Sequence, residues 1–155
     1  MTIRHLAVTP APHLVRPVVR LQPILAKSGT PSVDPLILAE HLQGVAEVLP
    51  IIAIESPEHW ERVVRGLPAD VDGILPLSIP CYPTEVWNSH PQPLVDRGLP
   101  FIFWCLPAHD EPDFWRWSAR DFLCSLGVDC ILVESRRNGL AILRALGVRR
   151  QFRGA

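Results

Sequence analysis

Four apolar runs recur at nearly even spacing along the chain, and each leads through a polar or proline-containing loop into a helical pattern. The runs cover residues 51–54, 73–77, 101–106 and 130–133. Short apolar strands that alternate with helices are typical of a parallel α/β sheet. Ligands of open α/β sheets bind outside the carboxyl ends of the strands. We therefore expect the segments that follow the strands to converge on one ligand-binding edge, namely residues 55–56, 78–85, 107–113 and 134–138.

The chain has the size of one domain, because 155 residues with 48% hydrophobic content suffice for a single packed core. We expect an extended amino-terminal arm at residues 1–17, one α/β domain at 18–150 and a carboxyl-terminal tail at 151–155. Prolines at 91 and 93 predict two short helices in place of one long helix before the third run. The fold predicted is a three-layer α/β/α domain with about five parallel strands, flavodoxin-like in order.

The patterns also predict the bounds of three further elements. Residues 18–25 read as the first strand, in which Pro23 indicates an edge or the end of pairing because proline has no backbone N–H. Apolar residues at helical spacing predict a helix over residues 35–49. The last helix is expected at 137–146, ended by Gly147.

Charge and cysteine usage exclude several classes of partner. The formal net charge is −1, and no cluster of basic residues precedes the last turn of the chain, so neither nucleic acid nor an anionic membrane is expected as a partner. No stretch approaches the roughly 20 apolar residues that span a bilayer, and the first residues lack a signal-peptide pattern. The protein is therefore predicted to be cytoplasmic. The four cysteines form no CxxC pair, so neither a zinc site nor a disulfide is expected.

The loop at residues 107–113, which follows the apolar run 101–106, combines an imidazole with several carboxylates. His109 and Asp110 lie beside Glu111 and Asp113. This mixture suits a divalent metal ion or a general acid/base pair. The alternative is that the carboxylates cap the following helix and stabilise it by about 0.3–1 kcal/mol each.

The loop at residues 78–85, which follows the apolar run 73–77, carries hydroxyl, thiol, aromatic and carboxylate groups next to a predicted helix start. The candidate ligand residues there are Ser78, Cys81, Tyr82, Thr84 and Glu85. Together they could hold an anionic or polyhydroxylated ligand. Cys81 could also act as a nucleophile if the fold brings His90 or His109 to it. The alternative is a rigid proline-rich loop that only covers the core.

Two further groups of candidates lie near the predicted ligand edge. Trp115 and Trp117 fall on different sides of one helix, so at least one is expected to be partly exposed, where its flat ring could stack on a sugar. Glu134 and Arg136 follow the last strand, and Arg136 with Ser135 could bind a phosphate or carboxylate. The alternative for Ser135 is an ordinary helix N-cap.

Three phrases of the sequence resemble a known enzyme family. They are ADVDGIL at residues 69–75, GLPFIFW at 98–104 and WSARDFLCSLG at 117–127. Over residues 24–147 the chain is similar to the amino-terminal α/β domain of the L-fucose and L-arabinose isomerase superfamily. The resemblance implies a small parallel sheet that packs in homo-oligomers and lends side chains to a neighbour's sugar site.

The resemblance carries over no catalytic residue, because that family places its metal-binding Glu, Asp and His in later domains. No cofactor is predicted from the residues themselves, and the resemblance alone implies Mn²⁺. The leading hypothesis is a sugar-isomerase-like domain that binds a carbohydrate or related polyol without full catalytic machinery; any activity would be that of an aldose–ketose isomerase, an intramolecular oxidoreductase. The alternatives are a non-enzymatic oligomerising or binding subunit, and a small metal- or cysteine-dependent enzyme.

Overall fold

The computed structural model describes residues 18–26, 35–78, 86–104 and 114–153. These residues form six strands and six helices. In chain order the elements are β1 (Val19–Ala26), α1 (Pro35–Leu42), β2 (Ala46–Val48), β3 (Ile52–Ile54), α2 (Pro57–Gly66), β4 (Gly73–Pro76), α3 (Val86–Ser89), α4 (Gln92–Arg97), β5 (Phe101–Trp104), α5 (Phe114–Ser125), β6 (Cys130–Val133) and α6 (Arg136–Arg153). The two short helices α3 and α4 confirm the break predicted from the prolines at 91 and 93.

The strands form one parallel sheet in the order β2-β1-β4-β5-β6, and β3 also pairs with β1. Leu21 of β1 pairs with β2 and with β4, while Ile24 pairs with β3 and with β4. Because a strand has only two edges, β2 and β3 must lie end to end along the edge of β1 opposite β4. Counted as one interrupted strand, they give the flavodoxin-like order that the sequence predicts.

Helices cover both faces of the sheet and define two cores. One core packs α2, α3, α4 and α5 against the sheet, and the other packs α1 and α6 against the opposite face. Strand β5 contributes to both, because Phe101 and Phe103 lie in the first core and Ile102 and Trp104 in the second. All four side chains are buried. The described residues therefore confirm the three-layer α/β/α architecture.

The first helix is shorter than the sequence predicts. The expected helix over 35–49 is wrong, because α1 ends at Leu42 and residues 46–48 form strand β2. Gly44 adopts a φ of +76°, which turns the chain out of the helix, and Val45 N donates to Leu42 O within that turn. The chain can then pair with β1.

The position of Pro23 also differs from its prediction. Pro23 lies within β1, an interior strand, and pairs with Leu75 of β4. Backbone groups of Val19 and Leu21 point to the β2 and β3 side, since Val19 N donates to Val45 O and Leu21 O accepts from Leu49 N. Alternation places the missing N–H of Pro23 on that same side, where β2 has ended and β3 has not begun. The Gln22 side-chain amide spans the gap, donating to Pro23 O at 2.9 Å and to Pro50 O at 2.8 Å.

Helix α6 does not end at Gly147, as the sequence predicts, but continues to Arg153, which includes part of the expected tail. A glycine inside a helix costs about 1 kcal/mol relative to alanine. The last turns are held by tertiary contacts instead. Arg150 donates to Asp72 Oδ2 at 2.8 Å and to Val18 O at 2.9 Å, so it ties the end of α6 to the start of β1 and the approach to β4.

Candidate ligand site at the carboxyl edge of the sheet

Only part of the predicted ligand set falls within the described residues. Ser78, Glu134 and Arg136 are described, and Trp115 lies in the first turn of α5. The remaining candidates lie outside the described residues: Cys81, Tyr82, Thr84, Glu85, His109 and Asp110. At this edge the structure therefore describes the ends of β4, β5 and β6 and the residues that flank segments 79–85 and 105–113.

A tryptophan and a glutamate are fixed to each other where β6 ends. Trp117 lies in the first half of α5 and is 44% exposed. Its Nε1 donates to Glu134 Oε1 at 3.0 Å. Glu134 directly follows β6, so the bond joins α5 to the carboxyl edge of the sheet. The result is a partly exposed indole whose orientation is set by an exposed carboxylate.

Ser78 is buried at the end of β4. Its residue exposure is 3%, and within the described part of the chain its Oγ has no hydrogen-bond partner. The backbone just before it is anchored, because Leu77 N donates to Ile24 O at 2.9 Å. Burial of an unpaired hydroxyl costs about 1–3 kcal/mol.

Sequence reasoning did not single out Asn88 in helix α3. The residue is 5% exposed, and neither Nδ2 nor Oδ1 has a partner among the described residues. Its neighbour Trp87 is fully buried, with its ring centroid 5.9 Å from that of Trp60 and 6.0 Å from that of Phe101. The aromatic packing fixes α3 beside the sheet. The signal in the sequence was only a polar residue next to a tryptophan, directly after the candidate loop 78–85.

The start of α6 behaves as a capped helix. Ser135 Oγ accepts a hydrogen bond from Asn138 N at 3.2 Å, and Gly139 N donates to Ser135 O at 2.9 Å. This geometry favours the N-cap alternative for Ser135. Arg136 is exposed and has no acidic partner within the described ranges.

A groove of about 390 Å³ lies between the start of α2 and the junction of α3 with α4. His90 Nδ1 lies 2.9 Å from Ser89 Oγ, but that hydroxyl also lies 3.1 Å from Val86 O, to which it donates. Ser89 therefore meets the imidazole as an acceptor and is not activated as a nucleophile. At the other wall, hydrogen bonds from its own backbone N–H and from Ser56 lower the pKa of Glu58. The Ser89 hydroxyl and the Glu58 carboxylate in this groove are therefore already hydrogen-bonded within the protein.

The described cysteines lie away from this edge. Cys124 is exposed near the end of α5, and Cys130 is half-buried at the start of β6. Burial, with the neighbouring Cys124 thiol, raises the pKa of the Cys130 thiol. A raised pKa disfavours the thiolate, so Cys130 acts as a small apolar residue.

No group of three or more His, Cys, Asp or Glu side chains within the described ranges could hold a metal ion. The residues described here thus do not fit the Mn²⁺ that the family resemblance implies. The predicted cluster around His109 and Asp110 lies outside them.

A second cleft, of about 560 Å³, opens at the amino edge of the sheet. Arg20 pairs there with Glu47 and with Asp70, and Arg150 pairs with Asp72. These ion pairs raise the pKa of Arg20, through Asp70 first and Glu47 second. Because its charges are paired with one another, we interpret this edge as a structural clamp.

Fold and site together define a class: a parallel three-layer α/β protein with flavodoxin-like strand order and a polar, partly aromatic carboxyl edge. Comparisons of the chain with family models, with curated proteins and with solved structures found no match. Among the described helices, none is both long and apolar enough to cross a membrane.

Proposed function

We propose that the protein binds a small polyhydroxylated ligand, a sugar or related polyol, at the carboxyl edge of its sheet. It would do so as a sugar-isomerase-like α/β domain that lacks a full catalytic set of its own. The observation that carries the proposal is the Trp117–Glu134 pair, with its 3.0 Å hydrogen bond and its 44% exposed tryptophan.

An indole and a carboxylate held together suit the two kinds of surface on a sugar. The flat ring offers an apolar face for the C–H side of a pyranose, since aromatic side chains present large apolar area with a polar handle. The carboxylate of Glu134 has several lone-pair positions, of which the bond to Trp117 uses one, so it can accept from ligand hydroxyls. The location supports the proposal, because this edge is where ligands of open α/β sheets bind.

The spacing of the strands sets the size of the site. Ser78 follows β4 and Glu134 follows β6, with β5 between them. Two strand spacings amount to about 10 Å. A ligand of monosaccharide or disaccharide size would reach from one residue to the other.

The second candidate function is a subunit that assembles with copies of itself, and exposed apolar residues on α6 favour it. Phe152 is 80% exposed and Val148 is 44% exposed, one helical turn apart on α6. Such residues mark contact surfaces when they are contiguous. Sedimentation of the wild-type chain and of a Phe152→Ser variant would test this function: a defined oligomer that dissociates in the variant supports it, and a monomer in both refutes it.

Sugar binding is tested by thermal shift and calorimetric titration with aldoses, ketoses, polyols and sugar phosphates. A ligand at 100 times its Kd stabilises the fold by about 2.7 kcal/mol, which raises Tm by about 5–10 °C for a domain of this size. The variants Trp117→Ala and Glu134→Gln should weaken binding. Matched controls are Phe152→Ala and Asp121→Asn, which remove an exposed aromatic ring and an exposed carboxylate elsewhere. No shift with any of these compounds would refute the proposal.

A further inference from the structure

Strand β6 is the last strand of the sheet on the β5 side, and no described strand pairs with its outer edge. Phe101 N of β5 donates to Asp129 O at 2.7 Å. Because hydrogen bonds alternate in direction along a parallel strand, the backbone N–H and C=O groups of Cys130 and Leu132 point away from β5. Strand β6 contains neither a charged residue nor a proline, which are the usual protections of an exposed edge. The edge is therefore open to a further strand.

The side chains of β6 favour the same addition. Cys130, Ile131 and Leu132 are only half-buried, whereas every residue of β4 and β5 is buried. Cys130 and Leu132 pack against the core that contains α5, and Ile131 packs against the core that contains α6. A strand beside β6 would cover apolar side chains on both faces of the sheet, so it should itself have apolar residues at consecutive positions.

Residues 1–17 join the sheet at a point from which they can reach this edge. They precede Val18, whose carbonyl oxygen accepts a hydrogen bond from Arg150 at 2.9 Å. The path from Val18 to the outer side of β6 crosses the amino ends of β4 and β5, where the cleft of about 560 Å³ opens. Val71 and Leu99 line this cleft and are buried. A segment that follows the path would lie in the cleft, on an apolar floor.

The register of the sheet gives the length of this path. One row across the sheet contains Gln22, Ile74, Phe101 and Cys130. Asp129 is therefore level with Leu21, three residues after Val18. A strand beyond β6 lies four strand spacings from β1, so the path covers about 19 Å across the strands and about 10 Å along them, or about 22 Å in all. Nine residue steps separate Thr9 from Val18 and reach about 28 Å in an extended, proline-rich conformation.

This length permits only an antiparallel strand. At the end of a parallel strand, residue 9 would be level with Glu134 and hence about 32 Å from Val18, which is beyond reach. Pro10 has no N–H to donate, so the added strand should end at Thr9. With Thr9 opposite Asp129, the apolar residues 6–8 lie opposite residues 130–132, the half-buried part of β6. Arg4 then comes opposite the Glu134 carboxylate, so the charges are also complementary.

We propose that residues 4–9 of this chain form a further strand antiparallel to β6, and that residues 10–17 connect it to β1 through the amino-edge cleft. The added strand completes the sheet and covers the open edge of β6. The segment from the same chain is favoured over a second copy because its length, its proline positions and its apolar residues all match the path and the edge.

A disulfide with the native Cys130 tests the register. Residue 8 should lie opposite Cys130 in a hydrogen-bonded pair, with a Cα separation of about 5.5 Å that suits a disulfide. The full chain would carry Val8→Cys, with Cys81, Cys105 and Cys124 replaced by alanine. Oxidation with copper phenanthroline should join residues 8 and 130 within one chain, as non-reducing peptide mapping by mass spectrometry can show. The matched control is Ala7→Cys, which places its thiol on the other face of the strand and should give at least about tenfold less product.

Hydrogen exchange followed by NMR tests the edge with all native cysteines in place. The Leu132 N–H points away from β5 and should exchange slowly in the wild-type chain, because residue 6 accepts from it. The Leu6→Pro variant disrupts this pairing and should speed the exchange at Leu132 by at least about tenfold. The Ile131 N–H points to β5 and is the internal control, so its exchange should not change.

Each contrary result overturns the inference. No disulfide, or equal yields from Val8→Cys and Ala7→Cys, would refute the register. A Leu132 amide that exchanges as fast in the wild-type chain as in Leu6→Pro would show that the edge is open. A disulfide between two chains, visible as a covalent dimer on a non-reducing gel, would show that the segment comes from a second copy. Neither measurement involves a ligand, so the result is separate from that for the proposed sugar binding.

Discussion

Replacement of Gly139 by alanine should destabilise the protein, although alanine is intrinsically the better helix residue. Near the start of α6, a Cβ on Gly139 would lie 2.5 Å from Val133 Cγ1 and 2.6 Å from Trp104 Cζ3, whereas real Cβ contacts essentially never fall below 3.0 Å. Both neighbours are buried core side chains. The helix or the strand ends must therefore shift to admit a methyl group.

The expected magnitude follows from two opposing terms. Overpacking of a core costs about 1–3 kcal/mol, and the change from glycine to alanine in a helix returns about 1 kcal/mol. Because the Trp104 ring is rigid, we expect the upper part of the first range and a net loss of about 1–2 kcal/mol. The matched control is Gly66→Ala at the end of α2, where nothing lies within 4 Å of the Cβ position, so this variant should gain up to about 1 kcal/mol.

Urea unfolding followed by circular dichroism measures both variants, and the loss for Gly139→Ala corresponds to a Tm lower by about 2–8 °C. A Gly139→Ala variant as stable as the wild type, beside a stabilised Gly66→Ala variant, would refute the close approach of α6 to the sheet. Equal destabilisation of both variants would refute the steric argument, since only one site is crowded.

Four further perturbations have defined outcomes. Arg150→Met should cost about 1–3 kcal/mol in urea unfolding, because the Asp72 carboxylate is 7% exposed and loses its ion pair; the cost stays below that of a fully buried pair since Arg150 is 35% exposed. Ser56→Ala removes the side-chain N-cap of α2 and should cost about 1 kcal/mol in the same assay; no loss would contradict the capping geometry. Iodoacetamide at pH 8 should modify Cys124 well before Cys130, as mass spectrometry can show, and equal rates at the two thiols would contradict the raised pKa of Cys130. The pKa of the Cys130 thiol is higher in the folded than in the unfolded chain. The free energy of unfolding should therefore be largest below the unfolded pKa of about 8.5 and should fall as pH rises above it. This fall should be smaller in Cys130→Ala, which has no thiol to ionise at this position.

Strands β3 to β6 were predictable because each lies in an apolar run with a clear end, but β2 and the interruption between β2 and β3 were not. Leu38, Leu42, Val45 and Leu49 recur at helical spacing, so the sequence fits one long helix as well as a helix followed by a strand. Gly44 and the gap opposite Pro23 decide between the two. Both features matter only because β2 and β3 pair with β1. That pairing is a tertiary contact, so it cannot be predicted from local periodicity.

The candidate site was predictable in location and only partly in composition. Parallel topology alone places Glu134 and Ser78 at one edge, since each directly follows a strand. The pairing of Glu134 with Trp117, 17 residues away, depends on how α5 lies against β6 and has no signature in the sequence. The unpaired state of the Asn88 amide is likewise a property of the packed fold, because it arises from what surrounds the side chain and not from the residue type.

Polar groups are paired at the amino edge of the sheet and partly unpaired at its carboxyl edge. At the amino edge, Arg20 and Arg150 pair with Glu47, Asp70 and Asp72, so the charges there are neutralised within the protein and hold the chain ends of the domain together. At the carboxyl edge, buried polar groups have no partner among the described residues, and the free energy lost there must be recovered by the clamp and the cores. Such a division implies that stability and binding can be altered separately. On the proposed sugar binding, substitutions in the amino-edge clamp should lower Tm without a change in ligand affinity, whereas Trp117→Ala and Glu134→Gln at the carboxyl edge should weaken binding with little change in Tm.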